Sequence, residues 1–160
     1  MNYTATKLRL LDNLVIELTF LDGNIIQYDL TKLFSKYPQF KALQDNQKLY
    51  RNGELWPLGE VVYWNEDIDL DTILVYKEGT IVGHIEPSIN QKIALLITKA
   101  REENKITQTQ LSKLSSIDQG DISRIERGIG NPTLKKIEKL FSALNKTLDI
   151  NIKWKRRKMS

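Results

Sequence analysis

Between Ile106 and Gly128 the chain reads ITQTQLSKLSSIDQGDISRIERG, and this stretch restricts the possible folds more than any other. Thr107 can cap a helix by accepting a backbone N–H, and Gln110, three residues on, can reach back to the Thr107 N–H in a capping box. Leu111 and Leu114 then share one face of that helix. The Ser115-Ser116 pair breaks it, and Asp118 is placed to cap a second helix. Ile117 and Ile122 flank this second start at the spacing of a hydrophobic staple. With Ile122 and Ile125 pointing inward, Gln119, Gly120, Ser123, Arg124 and Arg127 are left on the open side.

Two short capped helices around a tight turn form the arrangement in which a second helix offers its N-terminal residues to base edges. Thr107, Gln108, Leu111, Gln119, Ile122, Ser123, Arg124, Ile125, Glu126, Arg127 and Gly128 also match, at fixed spacing, the usual run of one family. The stretch resembles the lambda-repressor-like (Xre-type) helix-turn-helix family. It departs from the family at Ser116, where a turn glycine is usual, and at Ser112, where a small alanine packs between helices. The resemblance implies a double-stranded DNA partner, and an ion pair between Arg101 and Glu126 that pins the first helix to the recognition helix. Gln119, Gly120, Ser123 and Arg124 are the expected base contacts. Gln119 can bond adenine twice and Arg124 guanine twice, each pair giving about 1–3 kcal/mol of discrimination. Thr107, Gln108, Arg127 and Asn131 are the expected phosphate contacts. Asp121 could accept from a cytosine amino group, or favour the helix N-terminus by its charge.

The residues around this core continue the pattern. Ser88 and Gln91 form another capping box, opening a helix with Ile89, Ile93, Leu96, Ile97 and Ala100 at helical spacing. Asn131-Pro132 closes a loop, Thr133 caps a fourth helix with the stripe Leu134, Ile137, Leu140, Phe141 and Leu144, and Asn145 suits the left-handed residue that ends it. After it, Leu148, Ile150, Ile152 and Trp154 alternate with polar residues as in a strand. A lone strand needs a partner edge, so the expectation is pairing with a second copy, giving a homodimer, or with the N-terminal part of its own chain. The last residues, Lys155 to Ser160, are a basic tail, either a frayed end or a phosphate-contacting arm.

The N-terminal half has a different grammar. Val15 to Phe20 and Ile25 to Tyr28 are apolar-rich runs joined at Asp22-Gly23, a hairpin signal. Thr31 can cap a brief helical turn that ends before Pro38; Phe40 to Tyr50 reads as short helix or loop. Glu60 to Trp64 and Ile73 to Tyr76 read as further strands. The FLDGNIIQYDL hairpin, the downstream Trp64 and the acidic segment to Asp71 resemble a bacterial domain of unknown function that occurs alone or fused to a helix-turn-helix. The expected fold is an α+β domain over residues 1–80, a small antiparallel sheet with short helices. A linker over 81–87 follows, and then an all-α lambda-repressor-like domain with a C-terminal strand over 88–160.

Charge divides the chain at the same place. Residues 1–87 hold 8 Lys or Arg against 13 Asp or Glu, a net −5, whereas residues 88–160 hold 16 against 7, a net +9. A basic half attracts phosphate, and an acidic half is free to face solvent, a protein or a small ligand. The absence of cysteine excludes disulfides and thiolate zinc sites. Asp67, Asp69, Asp71 and Glu78 mimic the spacing of a calcium loop, but Thr72 stands where its glycine belongs and the flanks are strand-like. The single histidine, His84, has no nucleophile motif nearby, and no phosphate-cradling or dinucleotide motif occurs. No catalytic residue, metal or cofactor is therefore expected. With neither a signal peptide nor a run of about 18 apolar residues, the expected location is cytoplasmic, without membrane contact. The combined expectation is a transcription regulator, a repressor on a palindromic operator, or alternatively an antitoxin whose N-terminal domain neutralises a toxin.

Overall fold

The computed structural model describes residues 3–152. Strands β1 (Ala5–Leu10), β2 (Val15–Phe20) and β3 (Asn24–Asp29) form an antiparallel meander, with Val15 opposite Asp29 and Thr19 opposite Ile25. Ile16, Leu18 and Phe20 then lie on the same buried face as Ile26 and Tyr28, the period of two read from the sequence. At the hairpin tip Asp22 Oδ1 accepts from the Asn24 N–H at 3.0 Å, and Gly23 takes φ +91°. A Cβ on Gly23 would stand 2.0 Å from the Ile85 carbonyl oxygen, so the turn admits no side chain.

Beyond β3 the helical turn is capped by Asp29 rather than Thr31, its carboxylate accepting from the Thr31 N–H and hydroxyl at 2.9 and 2.7 Å. Asp29 is the last strand residue, so its side chain reaches the first free amides. Short helices α1 (Ala42–Asp45) and α2 (Gln47–Arg51) lead into a second antiparallel sheet, β4 (Glu54–Leu55), β5 (Val61–Asn65) and β6 (Ile68–Asp71). The N-terminal unit thus has two sheets where one was expected. Ile73 to Tyr76, expected as a strand, lies inside helix α3 (Thr72–Glu78). Burial explains the difference: Thr72 and Val75 face inward three residues apart while Ile73 is exposed, so packing overrides the β-branched preference.

The expected linker is also shorter. Thr80–His84 form β7, which pairs with the outer edge of β3 and completes the order β1-β2-β3-β7. Without β7 the amides of β3 would face an open edge; the connector shrinks to residues 85–87. The core between the sheets and short helices centres on Tyr50 and Trp64. Tyr50 is fully buried with its hydroxyl 2.7 Å from the carbonyls of both Leu11 and Val15, and Trp64 Nε1 donates to the Tyr50 carbonyl at 3.0 Å.

Four helices follow: α4 (Ile89–Glu103), α5 (Gln108–Ser115), α6 (Gln119–Glu126) and α7 (Leu134–Ala143). The Ser88 and Thr107 capping boxes are both formed, and Thr133 accepts from the Lys136 N–H. Ile97, Leu111, Ile122, Ile125, Ile137, Leu140 and Leu144 make a second core. Ile89, Leu96, Leu114 and Leu134, expected on inward faces, are 55–75% exposed. In α4 the buried positions are Ala94, Ile97, Thr98 and Ala100, so Ile97 and Ala100 of the expected stripe face the core while Ile89 and Leu96 face solvent. Asn145 ends α7 at φ +55°. Residues 146–152 form no strand, and Leu148 packs on the helical core. Trp154 and the basic tail lie outside the described residues.

The two units meet at one fully buried side chain. Leu21, at the β2–β3 turn, belongs to neither core and sits against Gly128, just beyond α6. Gly128 takes φ +72°, and a Cβ there would lie 2.8 Å from Leu21 Cδ1 and 3.2 Å from Gln91 Cγ. Among the described residues no helix is long and apolar enough to cross a membrane.

Candidate nucleic-acid interface

The turn between α5 and α6 is made by Ser116, which adopts the left-handed conformation at φ 56°, so serine fills the place where glycine is usual. Asp118 then caps α6, its carboxylate accepting from the Gly120 and Asp121 N–H groups at 2.8 and 3.3 Å. Ile117 and Ile122 are both buried beside this start, which fixes the angle at which the helix leaves the turn. Of the expected base contacts, Gln119 and Arg124 are exposed, and Gly120 and Ser123 are partly so.

A polar relay ties this surface to the helices beneath it. Gln119 Nε2 donates to Gln108 Oε1 at 2.9 Å, and Gln108 Nε2 donates to Glu126 Oε2 at 2.9 Å. Glu126 is 4% exposed and takes a forked pair from Arg101, with Nε at 2.7 Å and Nη2 at 2.9 Å. The remaining Arg101 nitrogen, Nη1, donates to the Ile106 carbonyl at 3.0 Å. The hydrogen bonds to Glu126 raise the Arg101 pKa above its ordinary value against the opposing effect of burial. Gln108, at the first position of α5, thus has its amide turned along the protein, and its backbone N–H lies at the positive end of that helix.

Asp121 lies in the first turn of α6, where its charge favours the helix N-terminus, and it has partners as well: its carboxylate holds Lys136 of α7 at 2.6 Å and also pairs with Arg124 one turn along. The Lys136 and Arg124 hydrogen bonds keep its pKa below the usual carboxylate range. Arg127, expected on the open side, is turned to the N-terminal unit, its Nη1 donating to the Pro57 carbonyl at 3.4 Å and its Nε to the Ser123 carbonyl at 3.3 Å. The Leu21 contact at Gly128 brings the β2–β3 turn alongside the end of α6. Thr107 and Asn131 are exposed, Thr107 at the start of α5 and Asn131 in the loop before α7.

Three residues that the sequence reading passed over join the surface. Lys135, Lys136 and Lys139 line a groove of about 290 Å³ with Ser116, Asp118 and Asp121, beside the start of α6. Their signal was present in LKKIEKL, where the apolar stripe alone was read. Among the described residues no cluster of three His, Cys, Asp or Glu side chains could hold a metal ion.

A capped helix, a left-handed turn and a second capped helix, held from behind by α4 and α7, define a helix-turn-helix unit, here following an α+β unit. Comparison with known proteins agrees: residues 97–151 match the family model described as Helix-turn-helix, and residues 5–80 match that described as Protein of unknown function (DUF2442). The chain carries an Xre-type helix-turn-helix domain behind a DUF2442 domain. An uncharacterized HTH-type transcriptional regulator of Haemophilus influenzae is 41% identical over 63 residues. The match spans 38% of this chain and 64% of that protein, less than two thirds of its length. A solved structure from Nitrosomonas europaea, described as that of a candidate DNA-binding protein, is 12% identical over 89% of this chain and 84% of its own, with a TM-score of 0.41. That likeness is too low to support an argument.

Proposed function

We propose that this chain is a sequence-specific double-stranded-DNA-binding transcription regulator, a homodimeric repressor that occludes a palindromic operator. The observation that carries the reading is the start of α6, capped by Asp118 with Gln119 and Arg124 exposed beside it, on a domain matched by the Helix-turn-helix family. The printed name of the H. influenzae relative, an HTH-type transcriptional regulator, supports the same class. Gln119, Gly120, Ser123 and Arg124 read bases in the major groove. Thr107, Gln108 and Asn131 meet phosphates on one side of α6, and Lys135 and Lys139 meet them on the other; Arg127 joins them once released from Pro57. Arg124 exchanges Asp121 for a guanine edge, so Asp121 holds the guanidinium in place until DNA competes for it. Two-fold docking would space the half-sites by about one helical turn, roughly 34 Å. The protein acts by binding rather than catalysis, in the cytoplasm where its DNA lies.

The test is selection of bound sequences from random duplex DNA with the full chain. Enrichment of a two-fold symmetric motif is the expected result; recovery of unenriched sequence at every salt concentration tried would remove the reading.

A further inference from the structure

β7 covers the edge of β3 and in turn ends its sheet, so among the described residues no strand faces its outer row of N–H and C=O groups. Exposed edges are ordinarily blunted by charge, by proline, by shortness or by a covering segment. The other edges follow that rule: β1 carries the exposed Lys7 and Arg9 and is held to the Gly59 carbonyl through the Ala5 N–H at 2.7 Å, β4 is short, and β6 shows Asp69 and Asp71 to solvent. β7 reads TIVGH, with no Lys, Arg, Asp, Glu or proline. Its one irregularity, the extra residue Val82 opposite the Ile25–Ile26 step of β3, leaves Ile81 and Val82 both exposed, at 63% and 48%.

The same chain holds a strand pattern without an edge. Leu148, Ile150 and Ile152 alternate with Asp149 and Asn151 at the period of a strand, yet this segment belongs to no sheet, and Ile150 and Ile152 are 61% and 71% exposed. Within one copy the two stand apart. Leu144 accepts from Asn104 Nδ2 at 3.2 Å and Lys146 pairs with Glu103, both at the C-terminal end of α4, whereas β7 precedes its N-terminus. The 15 residues of α4 put about 22 Å between those ends. From Lys146 the extended chain reaches only about 20 Å by Ile152, short of the β7 of its own copy.

We infer that β7 is the docking edge for residues 149–152 of a second copy of this chain, each copy supplying a fifth strand to the other's sheet. The exchange is reciprocal about a two-fold axis, so it closes as a dimer rather than growing into a filament. Main-chain hydrogen bonds make the attachment, and Ile150 and Ile152 gain cover beside Ile81 and Val82. Charge favours it as well. Beyond Ile152 the sequence holds Lys153, Lys155, Arg156, Arg157 and Lys158, while residues 1–87, which include β7, carry a net −5. The seam takes none of the residues assigned to DNA. It rests on the homodimer in the reading above and not on DNA binding.

The experiment is light scattering of the full chain over a dilution series, comparing the unaltered protein with Ile81→Lys and with Ile150→Ser plus Ile152→Ser. The replaced side chains are exposed in the single copy, so each variant keeps its fold, which circular dichroism checks. Ile81→Lys gives the edge the charge that such edges ordinarily carry. Each variant should raise the dimer dissociation constant about tenfold or more, whereas Leu114→Lys, also at a position 63% exposed, should leave it unchanged. A dimer that survives both seam variants overturns the exchange and leaves the homodimer standing. An unaltered chain that is monomeric at every concentration overturns both. Because the chain has no cysteine, Val82→Cys in one copy mixed with Ile150→Cys in another gives a second readout with a short bis-maleimide. Links between position 82 of one copy and position 150 of the other are expected; a predominance of links from 82 to 82 would overturn the exchange in favour of β7 pairing with β7.

Discussion

Glu126→Ala is the substitution whose cost the structure defines most closely. Glu126 accepts from Arg101 Nε at 2.7 Å, Arg101 Nη2 at 2.9 Å and Gln108 Nε2 at 2.9 Å, and the paired side chains are only 17% and 5% exposed. Removing one partner of a buried pair costs about 3 to 5 kcal/mol, because the other charge is left without compensation. Arg101 keeps its bond to the Ile106 carbonyl and some solvent contact, which places the expected loss near the lower end, about 3 kcal/mol. With a urea dependence of about 1–3 kcal/mol per molar, the unfolding midpoint should fall by about 1 to 3 M. The double variant Arg101→Met with Glu126→Leu should recover most of that loss, since an apolar pair carries no desolvation penalty. Equilibrium urea unfolding followed by circular dichroism measures all of these. A loss under about 1 kcal/mol for Glu126→Ala, the level of an exposed ion pair, would refute the account of a buried, relay-forming carboxylate.

Four further outcomes are expected. Arg124→Ala should cost about 1–3 kcal/mol of operator affinity and relax preference at one base pair; an equal loss on all sequences would reduce Arg124 to a phosphate contact. Lys135→Ala with Lys139→Ala should weaken binding evenly across sequences and lower the salt slope by about 2, whereas an unchanged slope removes the α7 groove from the DNA. Burial pushes the Tyr28 and Tyr50 hydroxyls up to about 12 from 10.0, with Glu78 adding to it at Tyr28 and Arg51 opposing it at Tyr50. Their contribution to stability is fully present below the unfolded value of 10.0 and is lost as pH rises toward about 12. Melting temperature should fall across that window, and a flat profile would contradict it. Truncation after Thr147 should leave a monomer by light scattering if Leu148 to Trp154 form the dimer seam, so a surviving dimer moves the seam to the exposed apolar positions of the helices.

What could be read from the sequence was the part decided by neighbours along the chain. The caps at Ser88, Thr107, Asp118 and Thr133 and the left-handed Asn145 each depend on two to four adjacent residues, and each is formed as read. The β2–β3 hairpin is equally local, since Asp22-Gly23 fixes its register. The misread features depend on distant partners. Whether Ile73 to Tyr76 is strand or helix turns on which residues Thr72 and Val75 pack against, and β7 exists because β3 has an open edge. In the candidate interface, Arg127 was displaced from its expected face by Pro57, seventy residues away, and Asp121 was drawn to Lys136 on the next helix. There the sequence reading took each residue's chemistry singly, and competing partners could not be counted.

The contact between Leu21 and Gly128 makes the two halves unequal as exchangeable parts. Gly128 lies just beyond α6 and has no side chain to leave uncovered, so its small size suits any carrier. Leu21 has no such general use: cut away from the helices, this fully buried leucine becomes an apolar tip on a hairpin. The sheet domain could therefore be released as a soluble fragment more readily with a polar residue at position 21, and stand-alone versions of the domain should already have one there. Reading that single position would sort fused from free-standing copies without any knowledge of what either binds.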